Sequence, residues 1–118
     1  MSMLRKLSAL FRGTAHQFAT DPLAKRIAEQ AIAAGHDRAV EPALRSFFYL
    51  PFEHSEDPLD QDRSVAMFDV LGDKEYLQYA ELHRDIIRRF GRFPHRNAVL
   101  GRIPTPEELD YLAEGGFA

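Results

Sequence analysis

The sequence predicts an all-α fold made of antiparallel helix hairpins. Four segments begin with Asp, Glu or Thr followed by Pro, and several candidate helices end at Gly. Proline suits the first helical position, and glycine suits the left-handed residue just past a helix end. No segment shows sustained alternation of apolar and polar residues, and β-branched residues are few, so no strand is predicted. Short connections indicate a single domain over residues 1–118.

The first helices follow from these start and stop signals. Asp21-Pro22 opens a helix that Gly35 closes, with apolar residues at helical spacing between them. Glu41-Pro42 opens the next helix, which Pro51 is expected to kink or end because proline lacks the N–H that a helix interior needs. Leucines spaced by three residues also predict an amphipathic helix over residues 2–12.

Three more helices complete the predicted fold. The third starts at Asp57-Pro58 and stops at Gly72, and the fourth runs from about Lys74 to Phe90 before Gly91. The last begins at Thr105, where the hydroxyl and Glu108 have the spacing of a capping box, and ends at the paired glycines that follow.

Composition limits the classes of function. With 45% hydrophobic and 28% charged residues, the chain is globular rather than disordered. It has no cysteine, which excludes disulfides and thiol nucleophiles and favours the cytoplasm. A net charge of −3 gives no general attraction to nucleic acid, and the apolar runs are too short to span a bilayer. We therefore expect a soluble cytoplasmic protein that binds neither nucleic acid nor membrane.

Charge is unevenly placed along the chain. Residues 53–63 carry five carboxylates against Arg63, whereas residues 84–102 carry six arginines against Asp85. The simplest interpretation is that these two segments face each other in the fold.

Residues 83–97 are the strongest candidate for a polar site, since they hold two histidines and five arginines. His83 lies at helical spacing with apolar residues, so it is either a hydrogen-bonded core histidine or a functional group in a cavity wall. In the following turn, Phe93 is a candidate anchor and Pro94 stiffens the backbone. Guanidinium groups held by such a turn are good bidentate partners for carboxylate or phosphate, or they bind the acidic segment and lock the fold.

The segment after Pro51 offers a second set of polar groups. Its His, Glu and Asp residues could bind a divalent metal together with His83 or His95. The metal-binding spacings His-x-x-x-His and Glu-x-x-His are absent, and so are the glycine loops of nucleotide sites and the serine elbow of hydrolases. We therefore predict no metal and no cofactor.

These observations predict one ligand-binding site from both segments. Its residues are Glu53, His54, Glu56, His83, Arg84, Arg92, His95, Arg96 and Asn97. The preferred function is a small helical binding module for a peptide end or a small anionic ligand. One alternative is an enzyme with His83 or His95 as acid/base and Arg92 or Arg96 binding an anionic substrate. The other is a purely structural domain that associates with itself or with other proteins.

The same residues carry a family resemblance. Leu50–Asp57 and Phe90–Asn97, supported by His83–Ile87 and Thr105–Glu108, resemble the bacterial family called domain of unknown function 924 (DUF924) over about residues 11–118. The resemblance implies an all-helical, tetratricopeptide-like right-handed array and no established activity.

The chain departs from this family at its beginning. Members usually carry an upstream region with tryptophan-rich helices, whereas residues 1–10 stand there in this chain and it has no tryptophan. The resemblance thus implies a shortened member with an apolar face left uncovered. We expect that face to self-associate, as a symmetric homodimer.

Overall fold

The computed structural model describes residues 21–116 and is all-helical over that range, which confirms the predicted fold class. The described α-helices are α1 (Asp21–Ala33), α2 (Pro42–Glu53), α3 (Pro58–Leu71), α4 (Lys74–Phe90), α5 (Asn97–Leu100) and α6 (Pro106–Ala113). Two 3-10 turns, His36–Ala39 and Pro94–Arg96, lie between them. The helix predicted over residues 2–12 lies outside the described residues.

The helix starts agree with the capping signals in the sequence. The Asp57 carboxylate accepts a hydrogen bond from the Leu59 N–H at 2.9 Å at the start of α3. Thr105 and Glu108 form the predicted capping box, in which each side chain accepts a hydrogen bond from the other's backbone N–H. Such bonds satisfy N–H groups that have no partner within the helix.

The end of α4 also follows the prediction. Gly91 has the left-handed conformation, with φ of 75°, and its N–H donates to the Ile87 carbonyl at 2.8 Å. This conformation is unfavourable for residues that carry a Cβ atom. The chain therefore turns at Gly91 toward the segment that carries Phe93.

Pro51 does not itself end α2, because the helix continues past it to Glu53. Pro51 lies in the last turn of the helix, so few helical hydrogen bonds follow it. Tyr49 and Phe52, on either side of it, are buried and hold the helix against its neighbours. Beyond the proline, the His54 N–H still donates to the Leu50 carbonyl at 2.9 Å.

Helices that follow one another along the chain pack together from α1 to α4. One apolar group joins Tyr49 of α2, Phe68 of α3 and Ala80 of α4, with the Tyr49 and Phe68 rings edge to face at 5.6 Å. A second group joins α4 to the C-terminal segment and consists of Ile86, Ile87 and Phe93. Because α4 contributes to both groups, it connects the helices before it to the turns after it.

The face of α4 that carries His83 is only half buried. His83, Ile86 and Ile87 are buried, whereas Tyr76 and Tyr79 are 38% and 50% exposed.

None of the helices between residues 21 and 116 combines the length and apolar character that crossing a bilayer needs. The tetratricopeptide-like arrangement stays a prediction.

Candidate functional site: a histidine cluster around Phe93

The C-terminal end of α2 is fixed to α3 by Gln61. This fully buried side chain donates from Nε2 to the carbonyls of Glu53 and Ser55, at 2.6 and 2.7 Å. Carbonyls at a helix end lack partners within the helix, so these bonds satisfy them and hold Glu53 and His54 in position. Sequence reasoning missed Gln61, since nothing in its spacing distinguishes a buried glutamine from an exposed one.

The turn after α4 is fixed to the same region. The Phe93 side chain is fully buried, as predicted for an anchor. Its N–H donates to Oε2 of Glu56 at 2.6 Å, which joins the turn to the segment between α2 and α3. Polar residues of both segments therefore meet here.

Three residues of the predicted site, Glu56, Arg92 and Asn97, bond with Arg102 and Glu108, and we call these five residues the arginine network. Arg92 donates to both carboxylate oxygens of Glu108, at 2.8 and 2.6 Å. Arg102 donates to both oxygens of Glu56, at 2.8 and 3.2 Å, and to Oδ1 of Asn97 at 2.9 Å. Such bidentate pairs are geometrically specific, and here they join α6 and the α2–α3 segment to the turn.

The network favours the charged forms of its carboxylates. Its hydrogen bonds from Arg92 lower the pKa of Glu108 to about 2. Burial opposes ionisation of Glu56, but its bonds to Arg102 and the Phe93 N–H still lower its pKa.

The pairing of Glu56 with Arg102 is the predicted contact between the acidic and basic segments. Sequence reasoning did not assign Arg102 or Glu108 to the site. For Glu108, the capping box already explained the residue.

Five of the six remaining predicted residues form a second group, which we call the histidine cluster: Glu53, His54, His83, His95 and Arg96. The ring centres of His83 and His95 lie 5.5 and 5.8 Å from that of Phe93. The Arg96 guanidinium carbon lies 4.6 Å from the same ring centre. His54 joins the cluster through His83, with 5.7 Å between ring centres.

The histidine cluster has a buried part and an exposed rim. Glu53, His83 and Arg96 are buried, whereas His54 and His95 are exposed. A molecule in solvent can therefore reach the rim histidines directly, and the buried groups lie behind them.

Burial and positive charge keep the histidines neutral at neutral pH. Although 46% of the His54 side chain is exposed, the protein groups around the rest of its ring, followed by the charges of His83, Arg96 and His95, lower its pKa. Burial and Arg96 also lower the pKa values of His83 and His95. Burial raises the pKa of Glu53 to about 7. Near neutral pH, the buried Arg96 therefore carries a positive charge, and the three imidazole rings of the cluster are neutral.

Three members of the cluster bring metal-ligating atoms together. One donor atom each from Glu53, His54 and His83 lies within 4.8 Å of the others. Nδ1 of His83 is 2.7 Å from the Tyr79 carbonyl. By contrast, no hydrogen bond or ion pair within residues 21–116 joins Arg84 to either group.

Comparison with known proteins places the chain in a family. A solved structure of a protein of unknown function from Agrobacterium tumefaciens is 59% identical and matches with a TM-score of 0.85. That match covers 89% of this chain and 59% of the other, so the chain spans about three fifths of that protein. No protein with curated annotation matches. A family model described as bacterial protein of unknown function, DUF924, matches residues 6–116, and the chain therefore belongs to this family.

Proposed function

We propose that the chain is a small helical binding module whose histidine cluster binds the anionic group of a ligand. The observation that carries this proposal is the convergence of Arg96, His83 and His95 on the buried Phe93 ring, with His54 against His83. A guanidinium in water-poor surroundings binds carboxylate or phosphate more strongly than one in open solvent.

The arrangement suits a peptide carboxyl end or a small anionic metabolite. The exposed rings of His54 and His95 offer N–H groups that can donate to an incoming oxygen, and Arg96 supplies the positive charge behind them. We also propose a cytoplasmic location, supported by the lack of cysteine.

The structural alternative is favoured for the arginine network alone. Arg92, Asn97 and Glu56 are bound to other groups of the protein and join separate parts of the chain. The proposed ligand site is therefore narrower than the sequence prediction and consists of the histidine cluster. The alternative of an enzyme with a histidine as acid/base requires the turnover of a substrate. This alternative stays a prediction.

Thermal unfolding with added anions tests the proposal. We expect inorganic phosphate or a small carboxylate to raise the unfolding midpoint, since a ligand at 100 times its Kd adds about 2.7 kcal/mol. The exposed His95 is the best position to change, because His95→Ala should alter stability by less than about 0.5 kcal/mol. The matched control is His36→Ala, which removes an exposed histidine from the 3-10 turn after α1.

The two variants separate the outcomes. A shift that His95→Ala reduces and His36→Ala preserves supports an anion site in the cluster. Equal shifts in all three proteins would show nonspecific stabilisation, and no shift with any anion would favour the structural alternative.

A further inference from the structure

We infer that Glu53, His54 and His83 form a binding site for a divalent transition-metal ion of the zinc class. This inference goes beyond the proposed anion site and does not depend on it. It also differs from the sequence prediction of no metal, which considered His83 but found no metal-binding spacing, because the three donors meet only through the packing of α2 and α4.

The first argument is the arrangement of the donor atoms. Ligands about 2.1 Å from a tetrahedral ion are roughly 3.4 Å from one another. Nε2 of His54 and Oε2 of Glu53 are 3.6 Å apart, and donor atoms of all three residues lie within 4.8 Å. Small side-chain rotations would therefore bring the three donors around one ion.

The second argument is the orientation of His83. Its Nδ1 is 2.7 Å from the Tyr79 carbonyl oxygen, which can only accept a hydrogen bond. Nδ1 therefore carries the proton, and Nε2 carries the lone pair of the neutral ring. Histidines that bind metals commonly donate their other ring N–H to a backbone carbonyl in this way, which fixes the tautomer and the ring direction.

The third argument is the chemistry of the set. Glu53 adds a carboxylate oxygen to the two imidazole nitrogens. Two histidines and one carboxylate are a known ligand set for zinc and ferrous iron, whereas magnesium and calcium prefer oxygen ligands alone.

Calorimetric titration of the chelator-treated protein with Zn²⁺ tests the inference. We expect one Zn²⁺ per chain, with no comparable binding of Mg²⁺. His54→Ala should weaken zinc affinity at least tenfold, because the effect of losing a ligand should exceed that of losing a residue that only orients one. The His54 side chain is 46% exposed, so this variant should remain folded, which circular dichroism can verify. Glu53→Gln tests the carboxylate with a side chain of the same shape.

His36→Ala is the matched control, since it also removes an exposed histidine. Cobalt titration gives a second measurement, because the visible spectrum of bound Co²⁺ changes when a ligand is lost. If Glu53→Gln does not fold, the zinc affinities of His54→Ala and His36→Ala decide whether the inference holds. The inference is overturned if the protein binds no Zn²⁺, or if His54→Ala binds it as tightly as His36→Ala does.

Discussion

At the scale of residues, the polar groups near Phe93 divide into two kinds. Those of the arginine network bind one another in bidentate pairs, and Arg92 with Glu108 is the clearest example. In the histidine cluster, His83, His95 and Arg96 surround the Phe93 ring, with Arg96 buried and His95 exposed. The first kind holds separate parts of the chain together, and the second presents groups that an anion can reach.

The pairing of Glu108 predicts how its contribution to stability depends on pH. Its pKa is lowered from 4.5 to about 2 in the folded protein, so the unfolded chain takes up the proton first as the pH falls. The stabilisation is complete above about pH 4.5 and is lost as the pH approaches 2. Urea unfolding should show Glu108→Gln less stable than the unchanged protein at pH 7, with a smaller difference at pH 3.

Glu107→Gln is the control for this comparison, since Glu107 is an exposed neighbour on the same helix. It should leave the pH profile of stability almost unchanged. A constant difference between Glu108→Gln and the unchanged protein from pH 7 to pH 3 would contradict the pairing.

The residue scale also shows why the site was only partly predictable. Phe93 was identified as an anchor because a large apolar residue between Gly91 and Pro94 has few other uses. The sequence placed His54 and His83 in one predicted site, but the contact between their rings was not predictable, because it depends on how α2 packs relative to α4. Spacing along the chain carries no information about such a contact.

At the scale of elements, local rules explain most helix boundaries. Capping residues and Gly91 act within one turn, so the sequence carries the whole signal. Pro51 did not end α2, because burial of the neighbouring Phe52 outweighed the local penalty. The short helix α5 and the two 3-10 turns were not predicted, since short elements take their shape from tertiary contacts.

The capping box of α6 gives a prediction at this scale. Thr105→Ala removes the hydroxyl that accepts from the Glu108 N–H at 3.1 Å, and should lower the free energy of unfolding by about 1 kcal/mol. Thr105→Ser keeps the hydroxyl and should lose much less. Urea unfolding of both variants measures the difference, and equal losses would show that the hydroxyl does not cap the helix.

At the scale of the whole molecule, exposed apolar side chains support the predicted self-association. Leu59 and Val70 are 72% and 87% exposed, and they lie about three turns apart on one face of α3. A contact through this face would remove both side chains from water, which is favourable for apolar groups. We propose a second copy of the chain as the partner, in a symmetric dimer.

Light scattering coupled to size-exclusion chromatography measures this association. The expected result is twice the chain mass at micromolar concentration, with a shift toward the monomer in Val70→Lys, which places a charge on the contact face. Lys74→Ala changes an exposed residue at the start of α4 and serves as the control. A monomer at micromolar concentration would exclude the dimer.

The most direct test of the anion site is an NMR titration with inorganic phosphate, followed through the histidine ring signals. The account predicts that signals from His54, His83 and His95 shift together along one saturation curve, while those of His36 stay in place. His36 is exposed and lies outside the cluster, so it reports general effects of salt. If no ring signal moves, or if His36 moves as much as the others, the histidine cluster is not an anion-binding site.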